Sequence, residues 1–208
     1  MLGSLARAEP VSEPATGVAF ESTRTVDGRP YALLGTGLRK KVVVKVYAMA
    51  LYVDETDARR SFPALAARAK GSDHARLTSE DHAQQFVLYG SFGKLAVLHF
   101  VRDVGKEKIR EAFEDGLGEE LSDKAPADAR QAAQAFVALF DQDIKEGEEV
   151  VVRTFPDGRI EIQQGSRKTA GPHSPRLARA IWGVWLGAKP ISTDMRKTLI
   201  DRIDLLGR

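Results

Sequence analysis

The feature that most constrains this chain is a long apolar segment, residues 42–53, which follows the sequence Gly35-Thr36-Gly37. Its many β-branched residues predict a strand that is entered through a glycine turn. Successive side chains of a strand point to opposite faces, and both faces of this segment are largely apolar. We therefore expect the rest of the protein to cover this strand on both sides.

Arg39 precedes this strand and has the same parity as Tyr47, so an extended chain would place both side chains on one side. A guanidinium that enters an apolar wall needs an anion or several acceptors to offset its desolvation. This argument predicts an anion-binding pocket at Arg39. The alternative is a buried ion pair between Arg39 and a carboxylate such as Asp115, with the Tyr47 hydroxyl bonded to a carbonyl.

The charge of the chain gives no case for nucleic-acid binding. The 208 residues, a length that suits one domain, include 31 basic and 29 acidic side chains, which are interspersed and give a formal net charge of +2. Nucleic-acid-binding proteins usually concentrate basic residues on one face. We interpret the short basic run at 39–41 as a solvated turn.

Motifs for metals, cofactors and membrane spans are not found in the sequence. The chain has no cysteine and only four scattered histidines. The GxG at 35–37 has no third glycine at position 40, which would be needed for a dinucleotide-binding fingerprint. No apolar run approaches the roughly 18 residues of a transmembrane helix. We therefore predict no metal, no cofactor and no membrane span.

The order of the predicted elements favours an α+β fold with helices packed on an antiparallel sheet. Strands lead, a helical block follows, a hairpin returns and helices end the chain, without the regular alternation of a parallel sheet. The predicted strands are 18–26, 29–34, 42–53, 94–102, 150–155 and 159–164. The predicted helices are 54–69, 78–89 (with a capping box at 78–81), 105–117, 126–144, 175–186 and 193–205.

Two tryptophans near the C-terminus, Trp182 and Trp185, form an apolar stripe with Ile181 and Val184. One interpretation is that this stripe packs in the core. The other is that it forms one wall of an apolar ligand cavity, because such side chains line most pockets.

Several motifs together resemble the chalcone-isomerase-like family, most closely its bacterial branch, over roughly residues 17–206. They are GTGLR at 35–39, ALYV at 50–53, FVRDV at 100–104, KIREAF at 108–113 and WLGAKPI at 185–191. The resemblance implies an open-faced β-sandwich, in which a helical layer covers a large antiparallel sheet. This family contains true chalcone isomerases, non-catalytic relatives and plastid fatty-acid-binding proteins.

The resemblance also implies roles for single residues. Arg39 matches the arginine that steadies developing negative charge in the isomerases and holds the carboxylate in the fatty-acid binders. Tyr47 stands where the isomerases have a catalytic threonine and the fatty-acid binders have a tyrosine. Lys108 and Asp115 replace an active-site tyrosine and asparagine of the isomerases. The remaining two implied site residues replace a threonine and a methionine that contact the flavonoid; they are Val184 and Trp185.

The function implied is non-catalytic binding of a fatty acid or a similar amphipathic carboxylate in an apolar cleft, with no nucleic-acid partner. An alternative is an isomerase (an intramolecular lyase) that cyclises a chalcone-like unsaturated ketone, with Arg39 as its catalytic residue. A third hypothesis is a structural or partner-modulating protein whose cleft is closed.

The N-terminus carries a weak export signal. Residues 5–8 (LARA) before Glu9-Pro10 have the small-x-small pattern of a signal-peptidase site, but the charged region and most of the apolar region that should precede it are missing. The pattern arose by chance, or it is the remnant of an exported precursor. We expect residues 1–16 to be a disordered leader or signal-peptide remnant and 17–208 to be the domain. We predict a periplasmic or exported protein, with a cytoplasmic one as the alternative.

Overall fold

A seven-stranded antiparallel sheet forms the framework of the protein, and its strands lie in the order in which they occur along the chain. The computed structural model describes residues 9–68, 80–121 and 125–207. The strands of the sheet are β3 (Thr23–Val26), β4 (Arg29–Lys41), β5 (Val44–Asp54), β6 (Lys94–Phe100), β7 (Glu149–Thr154), β8 (Ile160–Gln164) and β9 (Arg167–Ala170). A short two-stranded ladder precedes this sheet and consists of β1 (Val11–Ser12) and β2 (Ala19–Phe20).

Helices cover one face of the sheet, so the predicted α+β fold is confirmed. They are α1 (Glu55–Arg68), α2 (Glu80–Tyr89), α3 (Lys106–Glu120), α4 (Ala127–Ala138), α5 (Pro175–Leu186) and α6 (Thr193–Thr198), followed by a 3-10 helix at Ile203–Gly207. Helix α5 is the most buried of them. It begins where the Ser174 hydroxyl accepts a hydrogen bond from the Leu177 amide, with Pro175 as its first residue, and both tryptophans lie in the core.

The sheet curls, so its other face encloses a second apolar core. An ion pair of 3.4 Å between Arg24 on β3 and Glu149 on β7 joins two strands that are four positions apart in the sheet. The Tyr52 hydroxyl donates to the carbonyl of Glu21 across the same concave face. The core between them contains Phe20, Tyr31, Leu33, Ala48, Ala50, Tyr52, Leu95, Val97 and Val151. The predicted covering of β5 on both faces is thus confirmed from Tyr47 to Val53.

The β1–β2 ladder is an ordered part of the domain, so the predicted disordered leader is wrong over residues 11–16. Val11 and Val18 pack on the second core. The carboxylate of Glu13 is buried in the connection, where it accepts hydrogen bonds from the amide and hydroxyl of Thr16. Side chain to backbone bonds of this kind fix a turn that the composition of the segment does not reveal. Residues 1–8 lie outside the described residues.

A cluster of charged side chains around Arg153 links strands across the curled sheet. Arg153 on β7 is only 3% exposed, and its Nε donates to the Tyr31 hydroxyl at 2.9 Å. Its Nη1 pairs with Asp27 in the β3–β4 turn and lies 3.4 Å from a carboxylate oxygen of Glu161 on β8. Lys168 on β9 pairs with the same two carboxylates, each at 3.1 Å. Every charge in this Arg153 cluster therefore has an opposite charge beside it.

Gly35 and Gly37 lie inside strand β4, so the predicted glycine turn is wrong. The turn falls instead at Val42 and Val43, and β5 begins at Val44. The glycines provide room for α6, since a Cβ at Gly35 would overlap the carbonyl oxygen of Thr198 and one at Gly37 would lie 3.1 Å from the Thr198 hydroxyl.

Other element boundaries also differ from the prediction. The predicted strand 18–26 is split into β2 and β3, and β9 was not predicted. The helix predicted at 126–144 ends at Ala138, and Ile144 instead pairs with Val104 in an isolated bridge. The last predicted helix ends at Thr198 before the 3-10 helix, and the first half of the capping box at 78–81 lies outside the described residues.

Candidate ligand-binding cleft

Arg39 and Tyr47 are directly opposite each other on neighbouring strands, β4 and β5. Partners across an antiparallel pair project to the same face of the sheet. The sequence predicted the same side for both residues from their parity along one extended strand. In the structure they lie on two strands, and the hairpin between β4 and β5 brings their side chains to the same side. This face of the sheet is the one that the helices cover.

A β-bulge lies next to this pair. Arg39 is opposite Tyr47 and Lys40 is opposite Lys45, so β5 contains one additional residue, Val46. The carbonyl of Val46 accepts a hydrogen bond from the Val101 amide at 3.1 Å, just beyond the end of β6. Bulges re-aim side chains, and here both Val46 and Tyr47 line the same cavity.

This cavity is an open cleft of about 500 Å³ between the β4–β5 hairpin and α3. The volume lies within the range of small-molecule sites. Four of the six predicted site residues line it: Arg39, Tyr47, Lys108 and Asp115. Most of the other lining side chains are apolar, and they are Val44, Val46, Val104, Ile109, Ala112 and Ile191.

Arg39 is half-buried, and among the described residues it bonds only to backbone carbonyls. Its Nη1 donates to the carbonyls of Lys40 at 2.7 Å and Ile191 at 2.9 Å. Within the described ranges the guanidinium forms no ion pair, so the predicted alternative of an Arg39–Asp115 pair is wrong. A guanidinium has five N–H donors, and several of those of Arg39 are therefore available to a ligand in the cleft.

Tyr47 supplies a neutral hydroxyl beside this guanidinium. Its side chain is buried, and its oxygen accepts a hydrogen bond from the indole Nε1 of Trp185 at 3.1 Å. Burial raises the pKa of Tyr47 to about 12, against the opposing effects of the Trp185 hydrogen bond and the Arg39 charge. The phenol therefore keeps its proton at neutral pH, and it can donate that proton to an acceptor in the cleft.

Lys108 and Asp115 lie at the exposed rim, on one face of α3. The Lys108 ammonium pairs with Glu111 at 2.6 Å, which raises the pKa of Lys108. The spacing of Lys108, Glu111, Ala112 and Asp115 is the i, i+3, i+4, i+7 pattern of a single helix face. The polar rim of the cleft is therefore a continuous stripe along α3.

Val184 and Trp185 do not line the cleft, contrary to the prediction from resemblance. Both side chains are buried in the core beneath α3, where Val184 packs so closely that a Cβ at Gly116 would lie 2.9 Å from its Cγ1. The Trp185 ring contacts Phe113 edge-to-face at 6.0 Å. Trp185 thus reaches the cleft only through Tyr47.

The tryptophan stripe is core packing, the first of its two interpretations. The Trp182 indole donates to the Thr154 hydroxyl at 2.8 Å, so both indole N–H groups are satisfied inside the protein. Phe113 also stacks on Phe140 with 4.8 Å between ring centroids. These rings fill the core behind Tyr47.

Sequence reasoning missed the apolar walls of the cleft. Ala112 could have been found, because it follows Lys108 by four residues and shares its helix face. Ile191 had no such signal, since it is 152 residues from Arg39 and reaches it only after α5 has crossed the sheet. The Ile191 amide donates to the Val184 carbonyl at 2.9 Å, which fixes the segment after α5.

Comparison with known proteins agrees with this architecture. The model of the chalcone isomerase-like family matches residues 12–79 and 76–201. The chain belongs to the chalcone isomerase-like family. Fatty-acid-binding protein 1 of Arabidopsis thaliana, a relative in sequence, is 26% identical over a comparison of 207 positions that covers 93% of this chain and 70% of that protein.

A solved structure shows the same fold for nearly the whole chain. The crystal structure of a fatty-acid binding protein from Arabidopsis thaliana superposes with a TM-score of 0.75 and 20% identity, covering 96% of this chain and 99% of the other. The chalcone isomerase fold expected from the resemblance is confirmed. None of the helices in the described part of the chain has the length and apolar character needed to cross a membrane.

Proposed function

We propose that this protein binds a fatty acid or a similar amphipathic carboxylate in the cleft and catalyses no reaction on it. The observation that carries the proposal is the half-buried Arg39 guanidinium, which in the described part of the chain bonds only carbonyls and lies beside the neutral Tyr47 hydroxyl in an apolar cleft. The name of the Arabidopsis relative, a fatty-acid-binding protein, supports the same ligand class.

The chemistry of the cleft matches the two ends of such a ligand. A carboxylate between Arg39 and Tyr47 would accept charge-assisted hydrogen bonds, each contributing about 1.5–3 kcal/mol. An acyl chain against the apolar walls gains about 0.8 kcal/mol for each buried methylene, before the costs of association are subtracted. The chain of the ligand thus supplies affinity, and Arg39 sets its orientation.

The isomerase alternative uses the same arginine to stabilise negative charge that develops on a ketone oxygen. Two polar positions of the isomerase site are Lys108, which is paired with Glu111, and Asp115 at the exposed rim. Formation of flavanone from chalcone above the spontaneous rate would support this alternative. A filled cleft and an Arg39–Asp115 pair would have favoured the third hypothesis, and the structure has neither among its described residues.

The test compares dodecanoate with dodecanol, which share a chain and differ in the charged head. We expect the wild type to prefer the acid, and Arg39→Leu to bind the acid about 10- to 100-fold more weakly, so that the preference disappears. Tyr47→Phe should weaken binding of the acid by about tenfold. Isothermal titration calorimetry measures both changes.

The control is Arg159→Leu, which removes an exposed arginine from the β7–β8 turn, away from the cleft. It should bind both ligands as the wild type does. Unchanged preference for dodecanoate in a folded Arg39→Leu protein would show that Arg39 does not hold the carboxylate.

We also propose that the protein comes from a bacterium and is exported to the periplasm. Support is limited to the resemblance and to the small-x-small pattern at residues 5–8. Cell fractionation of the full-length protein expressed from its own gene tests this, and recovery from the cytoplasm alone would contradict it.

A further inference from the structure

The tip of the β4–β5 hairpin exposes aliphatic side chains to water. Val42 is 90% exposed, Val43 84% and Val44 40%. Of the four exposed large apolar side chains in the part of the chain that the structure describes, these are three, and they are consecutive. Single exposed apolar residues are common, but a consecutive group at a protruding tip indicates an interaction site.

The turn itself gives no reason for these valines. Val42 has a φ of 58°, in the left-handed region where a β-branched residue is strained. Two-residue hairpin turns with a positive φ at the first residue alone usually carry glycine there, which adopts this angle without strain. The valines at this tip neither pack on the core nor suit the turn. Contact with another molecule would explain why they are there.

Lysines flank the tip. Lys40 and Lys41 are exposed at the end of β4, and within the described ranges neither forms an ion pair with a carboxylate. Lys45 on the opposite strand donates to the carbonyl of Ala15. The hairpin therefore presents an apolar point surrounded by positive charge.

We infer that this hairpin tip, residues 40–45, docks on the surface of an anionic lipid bilayer. Aliphatic side chains at the apex would enter the boundary between headgroups and acyl chains, while the lysines would remain at the level of the phosphates. A protein partner would require a broader contact than three side chains at a tip provide. Single-stranded nucleic acid would require aromatic side chains for stacking, and the tip has none.

The tip adjoins the cleft, so docking of the tip would bring the cleft to the bilayer. Lys41 and Val44 belong to the tip and also line the cleft, and the apolar surface continues through Val46 to Tyr47. A docked protein would hold the mouth of the cleft against the bilayer. The docking rests on the hairpin alone and does not depend on the ligand proposed for the cleft.

Sedimentation with vesicles tests the inference. We expect the full-length protein to bind vesicles of phosphatidylcholine mixed with phosphatidylglycerol, and much less to bind vesicles of phosphatidylcholine alone. The double variant Val42→Gly, Val43→Asn places glycine where φ is positive, so it should melt at the wild-type temperature or above and yet bind anionic vesicles about tenfold more weakly. Lys40→Gln with Lys41→Gln should weaken binding by about 25-fold, or about fivefold for each charge.

Matched controls lie at the opposite end of the sheet. Tyr89→Ser removes the fourth exposed apolar side chain, and Arg176→Gln removes an exposed cation, so neither should change vesicle binding. Tyr47→Phe should weaken dodecanoate binding and leave vesicle binding unchanged, which separates failure of the docking from failure of the proposed function.

Three results would overturn the inference: wild-type vesicle binding by the folded turn variant, equal binding to neutral and anionic vesicles, or a dimer that the turn variant converts to a monomer in the absence of lipid. The last result would assign the tip to contact between two copies of the chain.

Discussion

Two arginines on the same sheet have contrasting environments. Arg153 is buried and surrounded by the Tyr31 hydroxyl and the carboxylates of Asp27 and Glu161. Arg39 is half-buried, bonds two carbonyls and faces an apolar cleft. A cation whose charge is balanced within the protein stabilises the fold, whereas one whose donors remain available in a cleft can recognise an anion from outside.

The largest expected effect is the loss of stability when Arg153 is removed. Arg153→Met leaves the buried Tyr31 hydroxyl without its partner and removes the link between β7 and β4 across the curled sheet, so we expect the free energy of unfolding to fall by about 2–4 kcal/mol. Arg39→Met, the matched variant, should cost no more than about 1 kcal/mol, because its two carbonyl acceptors lie near solvent. Urea denaturation measures both. Equal losses for the two variants would contradict the division of roles between these arginines.

A second variant tests how the Arg39 side is built. Gly35→Ala places a methyl group against the Thr198 carbonyl and should push α6 away from β4, with a loss of about 1–3 kcal/mol. The carbonyl of Ile191, just before α6, should then move from Arg39, and dodecanoate binding should weaken as well. The matched change Gly118→Ala, where a Cβ inside α3 meets no atom within 4 Å, should raise the free energy of unfolding by up to about 1 kcal/mol and leave dodecanoate binding unchanged. A stable Gly35→Ala protein would show that α6 adapts without disturbing the cleft.

The smallest effect is expected for the charge of Asp27. Arg153 and Lys168 hold the pKa of Asp27 below its ordinary value of 3.8, so the ionised carboxylate stabilises the fold above that pH. This stabilisation is lost as the pH falls through the lowered pKa. Asp27→Asn keeps a residue that tolerates the turn angle (φ 50°) and should lower the melting temperature slightly at pH 7. The difference from the wild type should shrink as the pH falls through the lowered pKa of Asp27, and a difference that does not change with pH would mean that the turn, rather than the charge, was altered.

The sequence predicts the secondary structure well where a pattern is local. Helix α5 has the predicted bounds, 175–186, because its capping serine, its proline and its apolar stripe lie within the helix itself. The turn at Val42–Val43 could not be predicted, since two valines are typical of strands. The role of Gly35 and Gly37 depends on α6, which is about 160 residues away and packs on them only in the folded protein.

The candidate site was predicted in part for the same reason. Arg39, Tyr47, Lys108 and Asp115 come together as the resemblance implied. The other two implied residues, Val184 and Trp185, lie in the core instead. Large aromatic neighbours such as Phe113 fill the space there that a ligand would need. Alignment places a residue on an element, but the volume of its neighbours decides whether it faces a cavity.

The segment around residues 191–202 packs on β4, so the cleft is complete only after this segment has been translated. The bulge at Leu34 leaves a carbonyl that the Arg202 amide satisfies at 2.8 Å, and the Ile191 carbonyl completes the surroundings of Arg39. A nascent chain that ends before residue 191 therefore contains Arg39 but lacks the part of the cleft wall that Ile191 forms. Binding competence is acquired only once residues 191–202 have been translated, and a nonsense mutation just before residue 191 would abolish recognition of the acid even where the sheet had already formed.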